Sequence, residues 1–130
     1  MSSEICNLIL KADSGIRFAG IVRKDSSILS AKYREDAIPL LDKEKLEISA
    51  LQAIIRWSMR TNFVNELGKA LYSITTYEKV KRATIPIYDK EGALLLVSFD
   101  TSARPGPIIR KKIIPLLEEK QAPLTSIWKI

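Results

Sequence analysis

Histidine is absent from this sequence of 130 residues, and cysteine occurs once, at Cys6. A single cysteine cannot form a disulfide within the chain, and the lack of histidine excludes most zinc sites. The same two counts exclude the Ser-His-Asp and Cys-His catalytic patterns. We therefore expect no catalytic residue, no metal site and no cofactor, and we predict that the protein is not an enzyme.

Glycine-rich phosphate-binding motifs are missing as well. The five glycines are scattered along the chain, and neither G-x-x-x-x-G-K-[ST] nor G-x-G-x-x-G occurs. The protein is therefore not expected to be a GTPase itself.

The sequence also lacks long apolar runs. The longest, at residues 93–97, has five residues, whereas a membrane-spanning helix needs about 20. The N-terminus has neither the basic residues nor the apolar stretch of a signal peptide. These features predict no membrane association and a cytoplasmic location.

Apolar residues are plentiful by comparison, at 46% of the chain, and 28% of the residues are charged. These values are typical of a globular protein, and the length suits one domain. No repeat or linker interrupts the sequence. We predict one domain at residues 1–121 and an apolar C-terminal tail at residues 122–130.

The spacing of apolar residues predicts the order of the elements. Helical spacing predicts helices at 4–12, from 42 to about 65 and from about 107 onward, the last one interrupted by Pro115. Patterns typical of strands predict a hairpin at 16–33 and three strands between 69 and 100. This order indicates an α+β fold. A single five-stranded, mostly antiparallel sheet carries the long helix on one face and the N- and C-terminal helices on the other.

Two strands carry further detail. In the first strand, Ile16 and Phe18 are expected to share one face, and Gly20 indicates a bulge or a close packing contact. In the last strand, the neighbouring residues Leu95 and Leu96 are both apolar, which predicts burial on both faces and a central place in the sheet.

The element order resembles the roadblock family, which is associated with dynein light chains and with regulators of small GTPases. The residues that carry this resemblance are the hairpin strand 16–22, the polar turn Lys24-Asp25 and the apolar strand 94–97. In outline the chain is similar to profilin-like and sensor-type domains too. The string from Gly68 through residues 77–82 resembles an uncharacterised family of small archaeal proteins. The roadblock resemblance covers residues 4 to about 120. It implies a dimer or heterodimer that scaffolds another protein, often a GTPase, without catalysis.

Some apolar residues exceed what one buried stripe needs. These candidate interface residues are Trp57, Met59 and Phe63 on the long helix and Ile127 and Trp128 in the tail. They either cover the chain's own domain or form a protein–protein interface, where aromatic residues and methionine are enriched. For the tail, we favour docking on its own domain. For the long helix, a homodimer interface is a serious alternative to packing within the domain.

Basic residues are clustered in the second half of a chain with a net charge of +6. The two clusters are Lys79, Lys81 and Arg82, and Arg110, Lys111 and Lys112. If the last strands and the last helix are neighbours, these residues could form one surface for an anion or an acidic partner. The alternative, which we favour over a nucleic-acid site, is that they are ordinary solvated faces.

The sequence thus favours a non-catalytic interaction or scaffold module. We expect a homodimer that binds another protein, such as a small GTPase. One alternative is a sensing domain that binds a small ligand between sheet and helix. Another is weak nucleic-acid binding through the basic clusters.

Overall fold

The computed structural model describes residues 2–88 and 92–120. Within these two ranges the chain forms five strands and several helical segments. In chain order they are α1 (Ser2–Ala12), β1 (Ile16–Val22), β2 (Ile28–Tyr33), α2 (Lys43–Arg60), a 3₁₀ turn (Thr61–Phe63), α3 (Val64–Leu67), β3 (Ser73–Thr76), β4 (Lys81–Pro86), β5 (Leu94–Phe99), α4 (Pro105–Ile108), a π-helical turn (Ile109–Ile113) and α5 (Ile114–Lys120).

The five strands form one sheet in the order β2-β1-β5-β4-β3, and neighbouring strands are antiparallel. β5 lies in the middle of the sheet, as predicted. Leu95 belongs to the apolar cluster on one face and Leu96 to the cluster on the other. The sheet therefore carries a buried layer on each side.

The helices divide between the two faces as predicted. The side chains of Ala50, Ala53 and Trp57 place α2 against one face of the sheet. Residues such as Ile9 of α1 and Leu117 of α5 join the cluster on the other face. The fold is therefore α+β, with the long helix on one side of the sheet and the N- and C-terminal helices on the other.

Local chemistry fixes where α2 begins. The carboxylate of Asp42 accepts a hydrogen bond from the Lys45 backbone N–H at 2.8 Å, which caps the first turn. Glu44 in that turn suits the positive end of the helix dipole. Ala50 and Ala53 on the buried side are small, so the helix can approach the sheet closely.

The expectation that Ile16 and Phe18 share a face is wrong. The register between β1 and β5 shifts between these two residues, so Ile16 pairs with Phe99 and Phe18 with Ser98. A β-bulge adds a residue to one strand and reverses the faces of the residues beyond it. Ile16 consequently lies on the α1 side, whereas Phe18 lies on the α2 side.

Gly20 makes the close contact that its position in a strand suggested. A Cβ atom at this position would lie 2.8 Å from Cζ of Phe18 and 3.3 Å from the carbonyl oxygen of Ser30. The absence of a side chain therefore lets the Phe18 ring lie across the strand.

The last helix departs from regular α-helical hydrogen bonding just before Pro115. The helical run continues through the π-turn, where the N–H of Ile114 donates to the carbonyl of Ile109, and α5 then begins with Pro115 in its first turn. The chain thus stays helical past Pro115, although this residue has no N–H to donate to the preceding turn.

No helix in the described ranges has the length and apolar character needed to cross a bilayer. The predicted tail at 122–130, with Ile127 and Trp128, lies outside the described residues, so its docking stays a prediction.

Candidate interaction surfaces

An apolar stripe runs along the outward side of α2. Its members are Ile48, Leu51, Ile55 and Met59, which are 47–62% exposed. They follow one another at intervals of three and four residues, which aligns side chains along one side of a helix. The stripe lies on the opposite side of α2 from buried Ala53, so it faces away from the sheet.

The exposed apolar surface continues beyond the end of α2. Phe63, Val64 and Leu67 are exposed in the 3₁₀ turn and in α3, Leu67 to 81%. Gly68, whose φ is +82°, then turns the chain away. These three residues and the stripe on α2 together form what we call the α2–α3 surface.

Two of the predicted interface residues on the long helix lie on this surface, and one does not. Met59 and Phe63 are exposed, but Trp57 is only 8% exposed and packs on the sheet. The interpretation of Trp57 as surplus apolar surface is therefore wrong. It follows Ala50 by seven residues and Ala53 by four, which returns it to the buried side of the helix.

A groove of about 660 Å³ lies between the sheet and the first half of α2. Its floor is one row of side chains that crosses four strands. Phe18 pairs with Tyr33 on one side and with Ser98 on the other, and Ser98 pairs in turn with Arg82. The rings of Phe18 and Tyr33 lie 4.8 Å apart, centroid to centroid. The floor is thus aromatic towards β2 and polar towards β4.

The loop between β2 and α2 forms one wall of the groove. It carries the apolar run at residues 38–41, in which Ile38 is 78% exposed. This run is the signal in the sequence that points to the groove, although it has no helical or strand periodicity. Arg17 fixes the loop by donating from Nη2 to the carbonyl of Ile38 at 2.9 Å.

Positive charge predominates around the polar end of the groove. Arg82 donates from Nη2 to Oγ of Ser49 on α2. Lys45 and Lys79 also line the groove, and Glu78 is its one acidic residue among those described. Burial raises the pKa of the Tyr33 hydroxyl, and the nearby charge of Arg82 opposes that rise.

The pleat of β4 places members of the first predicted basic cluster on opposite faces of the sheet. Lys81 and Arg82 are neighbours in a strand, so their side chains point to opposite faces. Nζ of Lys81 donates to the carbonyl of Ala103 at 2.8 Å, whereas Arg82 and Lys79 line the groove on the α2 side.

The second basic cluster lies on the face away from α2. Arg110 donates from Nη1 to the hydroxyl of Tyr72 at 2.9 Å. Nζ of Lys112 lies 2.7 Å from Oδ1 of Asp13, and Lys111 is exposed. The structure therefore does not bring the six predicted basic residues into one surface, because the sheet lies between them.

Across residues 2–88 and 92–120, no three potential metal-ligating side chains of the acidic or cysteine type come together. Cys6 is buried, and burial raises the pKa of its thiol. A buried thiol with a raised pKa is a poor nucleophile, since the thiolate is the reactive form.

The fold can be compared with known proteins. No protein-family model matches the sequence, and no curated protein matches it. The resemblance to an archaeal family therefore stays a prediction. Solved structures do match, and they define the class of fold.

A Roadblock/LC7 domain from Streptomyces avermitilis superposes with a TM-score of 0.71 at 12% identity, covering 94% of this chain and 96% of that one. MglB of Myxococcus xanthus superposes with a TM-score of 0.69 at 14% identity, covering 95% and 94%. An MglB structure described as having a tetrameric arrangement gives 0.65 at 16% identity, covering 91% and 88%. This chain therefore has a roadblock fold, as its element order suggested.

Proposed function

We propose that this chain is a non-catalytic interaction module that forms a homodimer and binds a protein partner of the small-GTPase class. The observation that carries the proposal is the α2–α3 surface. Soluble monomers rarely expose a contiguous apolar patch larger than a few hundred Å² unless it is a site of interaction. Here the stripe on α2 and the three residues that follow it are 41–81% exposed.

The geometry of the stripe suits self-association. Side chains spaced by three and four residues form a seam along a helix, which a second helix with the same spacing can meet. In a two-fold dimer the same patch faces itself, so one self-complementary stripe is sufficient. The tetrameric arrangement described for MglB, which shares the fold, supports association through this kind of domain.

The class of partner is inferred from the resemblance to the roadblock family, which is associated with regulators of small GTPases. Because the seam buries the stripe of each chain, the GTPase would bind the assembled dimer, and a variant that cannot dimerise would lose it. The net charge of +6 would add a salt-sensitive attraction to an acidic partner.

Capture from native lysate in two nucleotide states tests the partner class. The baits are wild type, Ile55→Glu, and Leu29→Glu as a control that places the same charge on an exposed leucine of β2. We expect wild type and L29E to retain a small GTPase with either GDP or a non-hydrolysable GTP analogue, and I55E to lose it. Retention of no small GTPase in either nucleotide state would contradict the proposal.

A second candidate function, binding of a small ligand between sheet and helix, is favoured by the groove. Its volume of about 660 Å³ is in the range of about 300–1,000 Å³ typical of sites for small molecules. Phe18 and Tyr33 lie in its floor and offer a ligand an aromatic surface. The separation of the basic clusters gives no comparable support to nucleic-acid binding.

A further inference from the structure

The floor of the groove has two chemically different ends. Phe18 and Tyr33 form the aromatic end, and Ser98 and Arg82 form the polar end. Ser98 is the only half-buried position in β5, whose other residues are buried. A molecule lying along this row would therefore meet apolar surface at one end and hydrogen-bond donors at the other.

The walls extend this polarity. The apolar run at 38–41 and Leu46 of α2 lie around the floor together with Val80. Lys45 and Lys79 supply two exposed ammonium groups. The groove thus offers a ligand both apolar side chains and positive charge.

Arg82 has no partner of opposite charge among the residues that the structure describes. Among the described residues, no carboxylate forms an ion pair with Arg82, Lys45 or Lys79, whereas Arg17 at the same groove lies 3.5 Å from Asp100. A guanidinium has five N–H donors, and the hydroxyl of Ser49 accepts from one of its nitrogens. Removing a charge from water without a counter-charge is costly, which favours an anionic ligand.

We infer that the groove binds a small amphiphilic carboxylate, with its apolar chain over Phe18 and its carboxylate at Arg82. This inference rests on the second candidate function and specifies its ligand class. Arginine pairs with a carboxylate through two parallel hydrogen bonds, which fixes the orientation of the head group. Ser98 adds a hydroxyl beside that position, and Lys79 adds long-range attraction at the mouth.

Calorimetric titration of the whole chain with three probes of equal chain length tests the inference. The probes are decanoate and decyltrimethylammonium, each below its micellar concentration, and decanol below its solubility limit. We expect decanoate to bind more tightly than decanol, and the cation to bind most weakly. We also expect added salt to weaken decanoate binding, because part of the attraction is electrostatic.

Matched variants locate the head group. Arg82→Gln should weaken decanoate binding by about tenfold or more, as expected for loss of charge-assisted hydrogen bonds, with little effect on decanol. Arg110→Gln on the opposite face should leave both unchanged. Lys79→Gln is an exposed second variant that should give a smaller loss even if R82Q folds poorly, and circular dichroism checks the fold of each.

The possible outcomes distinguish an error in the ligand class from an error in the second candidate function, ligand binding in the groove. Equal binding of decanoate and decanol, unaffected by R82Q and K79Q, would overturn the carboxylate assignment but leave a ligand groove. Preference for the cation would overturn it too. Binding of none of the three probes would overturn both the inference and the second candidate function.

Discussion

Arg34 at the end of β2 and Asp100 at the end of β5 are ion-paired, with Nη1 of Arg34 lying 2.8 Å from Oδ2 of Asp100. The same Nη1 donates to the carbonyl of Ser14 at 2.9 Å. One side chain thus joins the turn after α1 to two strands. Because the loop lining the groove leaves β2 directly after this pair, the pair also fixes the start of that loop.

Asp100→Ala should lower the free energy of unfolding by about 1–2 kcal/mol, because charge-assisted hydrogen bonds between partly buried groups are lost and solvent screens part of the effect. The removal also leaves Arg17 and Arg34 without their shared counter-charge. Urea denaturation measures the change. Asp36→Asn is the control, since that exposed carboxylate also pairs with Arg34. An equal loss in D36N would contradict the role given to Asp100.

Gly20→Ala should destabilise the protein by about 1 kcal/mol. The new methyl group meets the tip of the Phe18 ring, and overpacking of this kind outweighs the reduced entropy of the unfolded chain. A double-mutant cycle with Phe18→Leu checks the cause. In the F18L background, whose side chain is shorter, G20A should cost less; an unchanged cost would show that Phe18 is not the contact responsible.

Trp57 and Met59 should behave differently although they lie two residues apart. Trp57→Ala should cost about 3–5 kcal/mol in the free energy of unfolding, because the indole fills the layer between α2 and the sheet. Met59→Ala, at a position 62% exposed, should change it by no more than about 0.5 kcal/mol. Denaturation of dilute protein measures both. Similar losses would contradict the placement of Trp57 in the core.

Stability should fall in acid partly through Asp13. The hydrogen bond from Lys112, and then the one from the Gly15 N–H, hold the pKa of its carboxyl below the ordinary value of 3.8. A lowered folded-state pKa stabilises the protein above pH 3.8 and loses that effect as the pH falls through the folded value. Wild type should therefore be more stable than Asp13→Asn at neutral pH. Denaturation as a function of pH should show the gap closing below about pH 4; a constant gap would contradict this.

Much of the architecture follows from local pattern. The adjacent apolar residues Leu95 and Leu96 predicted the central strand. The surplus of apolar residues on the long helix predicted that this helix has an exposed apolar face as well as a buried one. Both signals lie within single elements, so they can be interpreted before any tertiary contact is known. The same holds for Pro115, whose missing N–H removes a hydrogen bond from any helix interior.

The parts that could not be predicted depend on contacts across the chain. Arg34 and Asp100 are 66 positions apart, and nothing local marks them as partners. The bulge that moves Phe18 to the α2 side depends on the register with β5. Phe18 and Arg82 come to lie in one row, on either side of Ser98, only through the registers of their strands with β5. The groove therefore has no signature in the sequence beyond the apolar run at 38–41.

Sedimentation equilibrium tests the central claim, that the α2–α3 surface holds two copies of the chain together. The samples are wild type, Ile55→Glu and the control Leu29→Glu, measured up to tens of micromolar. We expect twice the mass of the chain for wild type and L29E, and the mass of a single chain for I55E, because two buried glutamates would face each other across the seam. A strictly monomeric wild type, or a dimer unaffected by I55E, would contradict it.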